Sequence, residues 1–291
     1  MTSKKISWDK SVWFFDIDDT LVDTAGTTKA ASEGIKRVFQ ERYDTSTGER
    51  VQSLFVDIFS TMMGGHTSGS GSNPFHDEIL SIMEERQSCI KAKYGAIKKW
   101  SREFFVWFAC QKLGISASRE VIYEAANTYW MTLVEKMRVF PHVIDLFSEI
   151  QSHGRPIYFL TSSDGRLKID ENGMFVYDPT YSEGLKRERI ELLREMGLSY
   201  RGVSIGDPED KPHKEFFDKG ICMAEADLKK PIDLSQAIMC GDSYAADLAT
   251  PKNVLGFGLV VQFVKGMSGF DYIDERYMKT GNLLESKKFL S

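Results

Sequence analysis

The sequence predicts an α/β protein: a Rossmann-like three-layer core with a mostly parallel sheet, into which an all-helical cap domain is inserted. Apolar runs rich in β-branched and aromatic residues, the first of them Val12 to Phe15, have the pattern of strands buried on both faces. Helical patterns separate these runs in the second half of the chain, as in parallel folds. Between Thr27 and about Met137 the strand pattern is absent, and apolar residues recur at helical spacing.

The order of these patterns predicts two domains. Residues 1–26 and 139–291 would form the core, and residues 27–138 would form the helical domain. Because the insertion follows the first strand directly, its helices are expected above the carboxyl edge of the sheet, as a cap over an enclosed site for a small molecule. Residues 64–74 are rich in glycine and serine and are predicted to be a flexible loop, since their spacing does not match a phosphate-binding loop.

The core is predicted to alternate short strands with helices. A charged helix is expected from Arg187 to Met196, and a β-hairpin over residues 165–178 with its turn at Asn172 and Gly173. The role of this hairpin region, residues 165–182, is left open. After Val12 to Phe15, the predicted strands are Ile157 to Leu160, Gly202 to Ile205, Ala237 to Cys240 and Gly258 to Phe263, followed by a polar C-terminal tail.

Composition narrows the class of protein. The chain has 291 residues, of which 42% are hydrophobic and 27% charged, as in soluble globular proteins. A net charge of -5 argues against a nucleic-acid partner, and no apolar run has membrane-spanning length. Four cysteines without a CxxC pair suggest free thiols in a reducing compartment. We therefore expect a cytoplasmic protein that binds neither nucleic acid nor membrane, and the sequence does not predict an oligomeric state.

Carboxylates follow the first predicted strand. Asp16 and Asp18 are two residues apart, so they project to the same side if the extended geometry continues. Two like charges this close repel each other, and a divalent cation such as Mg²⁺ would offset the repulsion by taking oxygen ligands. Later strand ends add Thr161, Asp242 and Asp247, and Lys211 precedes a helix. Carboxylates, a hydroxyl, a lysine and a cation together suit the transfer of a phosphoryl group.

Four short segments resemble the four motifs of the haloacid dehalogenase-like (HAD) superfamily. They are DIDDT, LTSS, DKP and GDSYAAD, which occur in this order and each lie after or near a predicted strand. The resemblance covers nearly the whole chain outside the helical insertion, and the insertion itself is similar to the superfamily's cap placed after the first motif. One such segment could occur by chance, whereas four in order with matching strands are specific.

The resemblance implies a role for each matching residue. Asp16 would be the nucleophile that becomes phosphorylated, and Asp18 would be the general acid and base. Mg²⁺ would be held by Asp16, by the backbone carbonyl of Asp18 and by Asp242, with Asp247 acting through water or through another ligand. The substrate phosphate would be bound by Thr161, Ser162, Lys211 and Thr20, of which Thr20 would also orient the loop.

The activity implied is that of a phosphatase acting on a small phosphorylated metabolite. An acid two residues after the nucleophile favours an oxygen leaving group, because superfamily members that resemble dehalogenases lack it. Two alternatives stay open: a phosphomutase of the same superfamily, and a non-catalytic module that binds phosphate or a protein. The substrate is not predicted, and Lys214 and Lys186 compete with Lys211 for the place of the site lysine.

Overall fold

The computed structural model describes residues 6–68 and 73–291. In these residues the chain divides into two compact units. The sheet unit comprises the chain up to Ala25, Arg138–Ser163 and Lys186–Ser291, and the helical unit comprises Gly26–Met137 and Asp164–Leu185. Both boundaries of the predicted insertion lie one residue from those of the helical unit, and residues 164–185 cluster with the helical unit and not with the sheet.

Strands and helices occupy the following residues of the described chain. The strands are β1 (Val12–Phe15), β2 (Ile157–Ser162), β3 (Leu167–Ile169), β4 (Phe175–Tyr177), β5 (Gly202–Gly206), β6 (Ala237–Gly241), β7 (Leu259–Phe263), β8 (Phe270–Asp274) and β9 (Tyr277–Thr280). The helices are α1 (Thr24–Arg42), α2 (Thr45–Ser68), α3 (Pro74–Arg86), α4 (Ser88–Tyr94), α5 (Arg102–Leu113), α6 (Arg119–Lys136), α7 (Pro141–Ser152), α8 (Pro179–Glu195) and α9 (Lys214–Leu228). None of these helices is both long and apolar enough to cross a membrane.

Seven strands form the sheet of the sheet unit, in the order β5-β2-β1-β6-β7-β9-β8. All neighbouring pairs are parallel except β8 and β9. Strand β1 is flanked by β2 and β6, and Phe15 lies opposite Phe159 on one side and Cys240 on the other. The carboxyl ends of these three strands therefore meet at one edge, as the sequence predicts.

Helices cover both faces of this sheet, which confirms the predicted three-layer core. Phe14 belongs to an apolar cluster with Phe216 and Phe217 of α9. The next residue, Phe15, points to the opposite face and packs against Phe147 of α7, with ring centroids 5.1 Å apart. All four residues of β1 are buried, which explains why their sequence shows no alternation of apolar and polar residues.

The C-terminal segment differs from the prediction. Residues 270–280 are not a polar tail, because β9 pairs in parallel with β7 and in antiparallel with β8. Tyr277 and Met278 of β9 are buried, whereas β8 at the edge of the sheet is largely exposed. The polar residues of this segment lie mainly on the exposed strand β8 and its turn. Because of them the sequence shows no apolar run or apolar–polar alternation that would predict a strand.

The helical unit contains most of α1, helices α2 to α6 and the hairpin β3–β4. The hairpin pairs in antiparallel with its turn at Asp170 to Gly173, which confirms that prediction. It packs on α5 through Phe175, whose ring centroid lies 5.4 Å from that of Phe104. The predicted loop at residues 64–74 is partly wrong: Gly64 to Ser68 continue α2, Asn73 caps α3, and residues 69–72 lie outside the described chain.

Candidate active site

Asp16 is fixed where β1 ends. Its backbone N–H still pairs with the carbonyl of Cys240 on β6, at 2.9 Å, so the residue continues the sheet. The chain then turns sharply, because the carbonyl of Ile17 accepts hydrogen bonds from the N–H groups of Thr20, Leu21 and Val22. The turn places the buried Asp16 carboxylate at the carboxyl edge of the sheet.

Lys211 is the lysine that reaches Asp16. Its Nζ lies 2.5 Å from Asp16 Oδ1 and 2.7 Å from Asp247 Oδ1, and all three side chains are more than nine-tenths buried. Thr20 donates to the other oxygen of Asp16 at 3.2 Å. Burial alone would lower the pKa of Lys211, but Asp16 and Asp247 raise it, so the ammonium group stays charged.

The segment after β6 supplies two more carboxylates. Gly241 lets the chain pass close to Asp247, because a Cβ at this glycine would lie 2.4 Å from the Asp247 Cβ. The N–H of Ser243 donates to Asp247 Oδ2 at 2.9 Å. Gln262 of β7 holds the neighbouring backbone by donating to the carbonyl of Asp242 at 2.9 Å. This loop is thus fixed by both its own turn and the adjacent strand.

Three carboxylates converge on one point. One oxygen from each of Asp16, Asp242 and Asp247 lies within 4.8 Å of the others. Burial raises the pKa of Asp16 to about 7, although Lys211 acts in the opposite direction. The pKa of Asp242 is raised to about 8, mainly by burial and next by the charges of Asp247 and Asp16. In the described part of the chain Lys211 is the one cation paired with this cluster, and its ammonium group does not balance three ionised carboxylates. The donor set suits a hard divalent cation with oxygen ligands.

Asp18 does not join this cluster through its side chain. The guanidinium group of Arg189 donates to both carboxylate oxygens at 2.9 Å, Lys186 donates at 2.6 Å and Thr24 at 2.7 Å. Burial alone would raise the pKa of Asp18, but Arg189 and Lys186 hold it well below its usual range. Asp18 is therefore an ionised carboxylate with three donor side chains.

The two cations come from α8, and Arg189 is not among the predicted site residues. Lys186 and Arg189 are three residues apart, which places them on one face of the helix. That spacing was the available signal, but nothing in the sequence links this face to a residue 168 positions away. Lys214, the other competitor of Lys211, pairs instead with Asp218 one turn along α9.

Thr161 and Ser162 end β2 beside β1. The hydroxyl of Thr161 is buried and donates to the carbonyl of Ser162 at 3.4 Å. Ser162 donates to Asp210 Oδ1 at 2.8 Å, and the same oxygen accepts the backbone N–H of Lys211 at 2.7 Å. Asp210 thus ties the end of β2 to the loop that carries Lys211. Asp210 is not among the predicted site residues, although it directly precedes that lysine in the sequence.

No protein-family model and no curated protein matches this sequence. Solved structures do share its fold. YfnB of Bacillus subtilis, assigned to the HAD hydrolases and bound to magnesium, is 17% identical with a TM-score of 0.55, over 96% of this chain and 97% of that one. A 2-haloacid dehalogenase from Pseudomonas syringae pv. Tomato is 17% identical with a TM-score of 0.54, over 96% and 97%.

A third structure extends the range of activities found on this fold. A protein from Thermotoga maritima assigned as a β-phosphoglucomutase is 14% identical with a TM-score of 0.52, over 95% of this chain and 97% of that one. The likeness spans both units and nearly the full length of each protein, while the low sequence identity limits it to the fold. The chain has the fold of the haloacid dehalogenase-like hydrolases.

Proposed function

We propose that the chain is a Mg²⁺-dependent phosphatase that hydrolyses a small phosphomonoester through a phosphorylated Asp16. The observation that carries this proposal is the buried contact of Asp16 with Lys211, beside Asp242 and Asp247 at the carboxyl edge of the sheet. A carboxylate nucleophile next to a fixed ammonium group is the arrangement that attack on a phosphoryl group requires. The fold that the chain shares with HAD hydrolases supports the same activity.

The residues present fit a magnesium ion. Asp16, Asp242 and Asp247 would supply carboxylate oxygens, and the resemblance adds the backbone carbonyl of Asp18. When bound, the ion would offset the negative charge of the phosphoryl oxygens. The magnesium-bound state of YfnB, which has the same fold, supports this assignment.

The remaining chemistry falls to the side chains of the sheet unit. An oxygen of Asp16 attacks phosphorus, the bond from phosphorus to the ester oxygen breaks, and Asp16 becomes an acyl phosphate. Lys211 neutralises charge on the phosphoryl oxygens, and Thr161 and Ser162 donate hydrogen bonds to them. Water then attacks phosphorus, which releases inorganic phosphate and restores the Asp16 carboxylate.

Asp18 is proposed to protonate the leaving oxygen and then to take a proton from the attacking water. In the structure its carboxylate accepts hydrogen bonds from Thr24, Lys186 and Arg189 and carries no proton to give. Action as a general acid therefore requires that Asp18 exchange some of these donors for the leaving group and take up a proton before the ester bond breaks.

Asp18 also decides between hydrolysis of an ester and removal of a halide. A halide leaves without a proton, so a dehalogenase needs no acid at this place, whereas an alkoxide leaving group does. The shared fold with the Pseudomonas dehalogenase therefore does not extend to a proposed dehalogenase activity. A phosphomutase would use the same residues, and the fold of the Thermotoga protein keeps it as the second candidate.

Phosphate release from a panel of small phosphomonoesters tests the proposal. We expect turnover with Mg²⁺ that chelation abolishes, and Asp16→Asn should lower it on the order of 1,000-fold or more, because the nucleophile is removed. Asp218→Asn changes a half-exposed acid outside the site and should leave turnover unchanged.

Three outcomes would decide against parts of the proposal. Equal phosphate release by the Asp16→Asn variant would refute the role of Asp16. Isomerisation of a sugar phosphate that depends on a bisphosphate activator would identify the mutase. Absence of turnover on every ester, with unchanged binding of a phosphate compound or protein by the folded Asp16→Asn variant, would identify a non-catalytic module.

A further inference from the structure

The helical unit buries an arginine that has no acidic partner among the residues that the structure describes. Arg102, the first residue of α5, is only 4% exposed. Its guanidinium group has five N–H donors, yet in the described residues it makes one hydrogen bond, from Nη1 to the carbonyl of Trp100 at 2.5 Å. Its Nε is buried and has no hydrogen-bond partner within the same residues.

The position of Arg102 adds to the cost of this charge. An arginine stays protonated when buried, and a buried charge without a counter-ion is strongly disfavoured. The amino end of a helix also repels cations, because the helix dipole is positive there. The neighbouring Glu103 does not compensate the charge of Arg102, because its carboxylate pairs with Arg166 and accepts a hydrogen bond from Ser101.

Aromatic rings surround the guanidinium group and replace part of its lost hydration. Its central carbon lies 4.8 Å from the ring centroid of Trp130, 4.9 Å from that of Phe59 and 5.1 Å from that of Tyr129. Such cation–π contacts are favourable, and they also hold the planar fork in one orientation. They satisfy no N–H group, however, so the hydrogen-bonding capacity of Arg102 remains for a ligand.

We propose that Arg102 anchors an oxyanion-binding site of the helical unit, which takes a carboxylate or phosphate group carried by a small organic ligand. A guanidinium fork matches the paired oxygens of these groups, and an oxyanion supplies the missing counter-charge. Phe59 and Trp100 beside it are partly exposed and offer apolar surface to the body of the ligand. The inference does not depend on the phosphatase activity, because all of its residues belong to the helical unit.

Binding of two probes to the full chain tests the site. Phenylphosphonate and inorganic phosphate are titrated by calorimetry in the presence of a chelator, so that the carboxylates around Asp16 repel anions. We expect both to bind, with phenylphosphonate tighter, and Arg102→Met should weaken binding by at least about tenfold. Arg102→Lys keeps the charge but loses the fork, and an intermediate affinity is expected. Arg50→Met, at an exposed arginine of α2, is the matched control.

Stability separates a binding site from a purely structural cage. If the charge is kept for a ligand, Arg102→Met should unfold at the same or a higher urea concentration than the parent protein when no anion is present. A clear fall in the urea midpoint of Arg102→Met would overturn the proposal. So would failure of either probe to bind up to about 10 mM, equal affinities of inorganic phosphate and phenylphosphonate, or binding that Arg102→Met keeps and Lys211→Met abolishes.

Discussion

In the pair of Asp16 and Lys211, a buried carboxylate and a buried ammonium group each favour the charged form of the other. A buried carboxylate is disfavoured in its ionised form, and a buried ammonium group is disfavoured in the same way. At 2.5 Å each group compensates the other, while Asp247 at 2.7 Å leaves the trio with excess negative charge. The negative charge of these side chains therefore favours the binding of a further cation by the acidic cluster of Asp16, Asp242 and Asp247.

Replacement of Lys211 tests this balance. Lys211→Met should lower turnover about 100- to 1,000-fold, because a fixed positive charge next to the phosphoryl group is lost. It should also destabilise the chelated protein, since two buried carboxylates then lack their counter-ion. Turnover on a phosphomonoester and urea unfolding with and without Mg²⁺ measure the two effects.

Lys214→Met is the control for that experiment. Lys214 pairs with Asp218 on the solvent side of α9, where each side chain is about half exposed. Such pairs contribute about 0–1 kcal/mol, so both turnover and unfolding should stay near those of the parent protein. If Lys214→Met lost turnover and Lys211→Met kept it, the assignment of the site lysine would be reversed.

At the scale of one element, α8 connects two parts of the fold. The helix begins at Pro179 in the helical unit, and from Lys186 onward it belongs to the sheet unit. The sequence predicts this helix only from Arg187, and the structure adds two turns before that residue. The two cations that hold Asp18 lie within the sheet-unit part, and Arg189 binds the carboxylate with both of its terminal nitrogens. This is the geometry in which arginine pairs most strongly.

A double-mutant cycle measures the pair of Arg189 and Asp18. Arg189 is 6% exposed and the Asp18 side chain 30%, so solvent screens the pair only in part. We expect Arg189→Gln and Asp18→Asn to be coupled by about 1–2 kcal/mol in urea unfolding, because each single change leaves a charged group, the buried Arg189 or the partly buried Asp18, with fewer partners. Arg42→Gln, which breaks an exposed pair with Glu124, is the control and should cost about 0–1 kcal/mol. Strictly additive effects would show that the fork does not stabilise the fold.

At the scale of the whole molecule, local patterns predicted the strands that build the site, and distant contacts escaped prediction. The five predicted strands exist because runs such as Val12–Phe15 are buried on both faces. The ends of these strands bring Asp16, Asp242 and Asp247 together for a topological reason, since parallel strands share one carboxyl edge.

The features that the sequence did not reveal depend on packing between segments far apart in the chain. Arg166 belongs with the helical unit because it pairs with Glu103, 63 residues earlier. Residues 270–280 become two strands because β7 offers a free neighbour for β9. Neither the amino-acid composition nor the spacing of apolar residues indicates which distant segment a residue will contact. In the sequence, the charged residues involved have the pattern of a solvent-exposed surface.

The pair of Arg166 and Glu103 is the strongest candidate for what holds the hairpin to the helices. Both side chains are at least 96% buried, with Arg166 Nε 2.5 Å from Glu103 Oε1, and Asn127 accepts from the same guanidinium group.

Glu103→Gln should destabilise the protein by about 3–5 kcal/mol, because it leaves the arginine buried without its counter-ion. The double change of Glu103→Leu with Arg166→Met should recover part of this loss, since a well-packed apolar pair avoids the desolvation penalty. Urea unfolding followed by tryptophan fluorescence measures both changes in stability, because Trp107 of α5 packs against Phe175 of the hairpin.

Lys168→Met, at a half-exposed pair with Asp178 in the same hairpin, provides the control and should change stability by about 1 kcal/mol at most. A loss for Glu103→Gln as small as this control would mean that apolar contacts such as Phe175 with Phe104, and not the buried ion pair, join residues 164–185 to the helical unit.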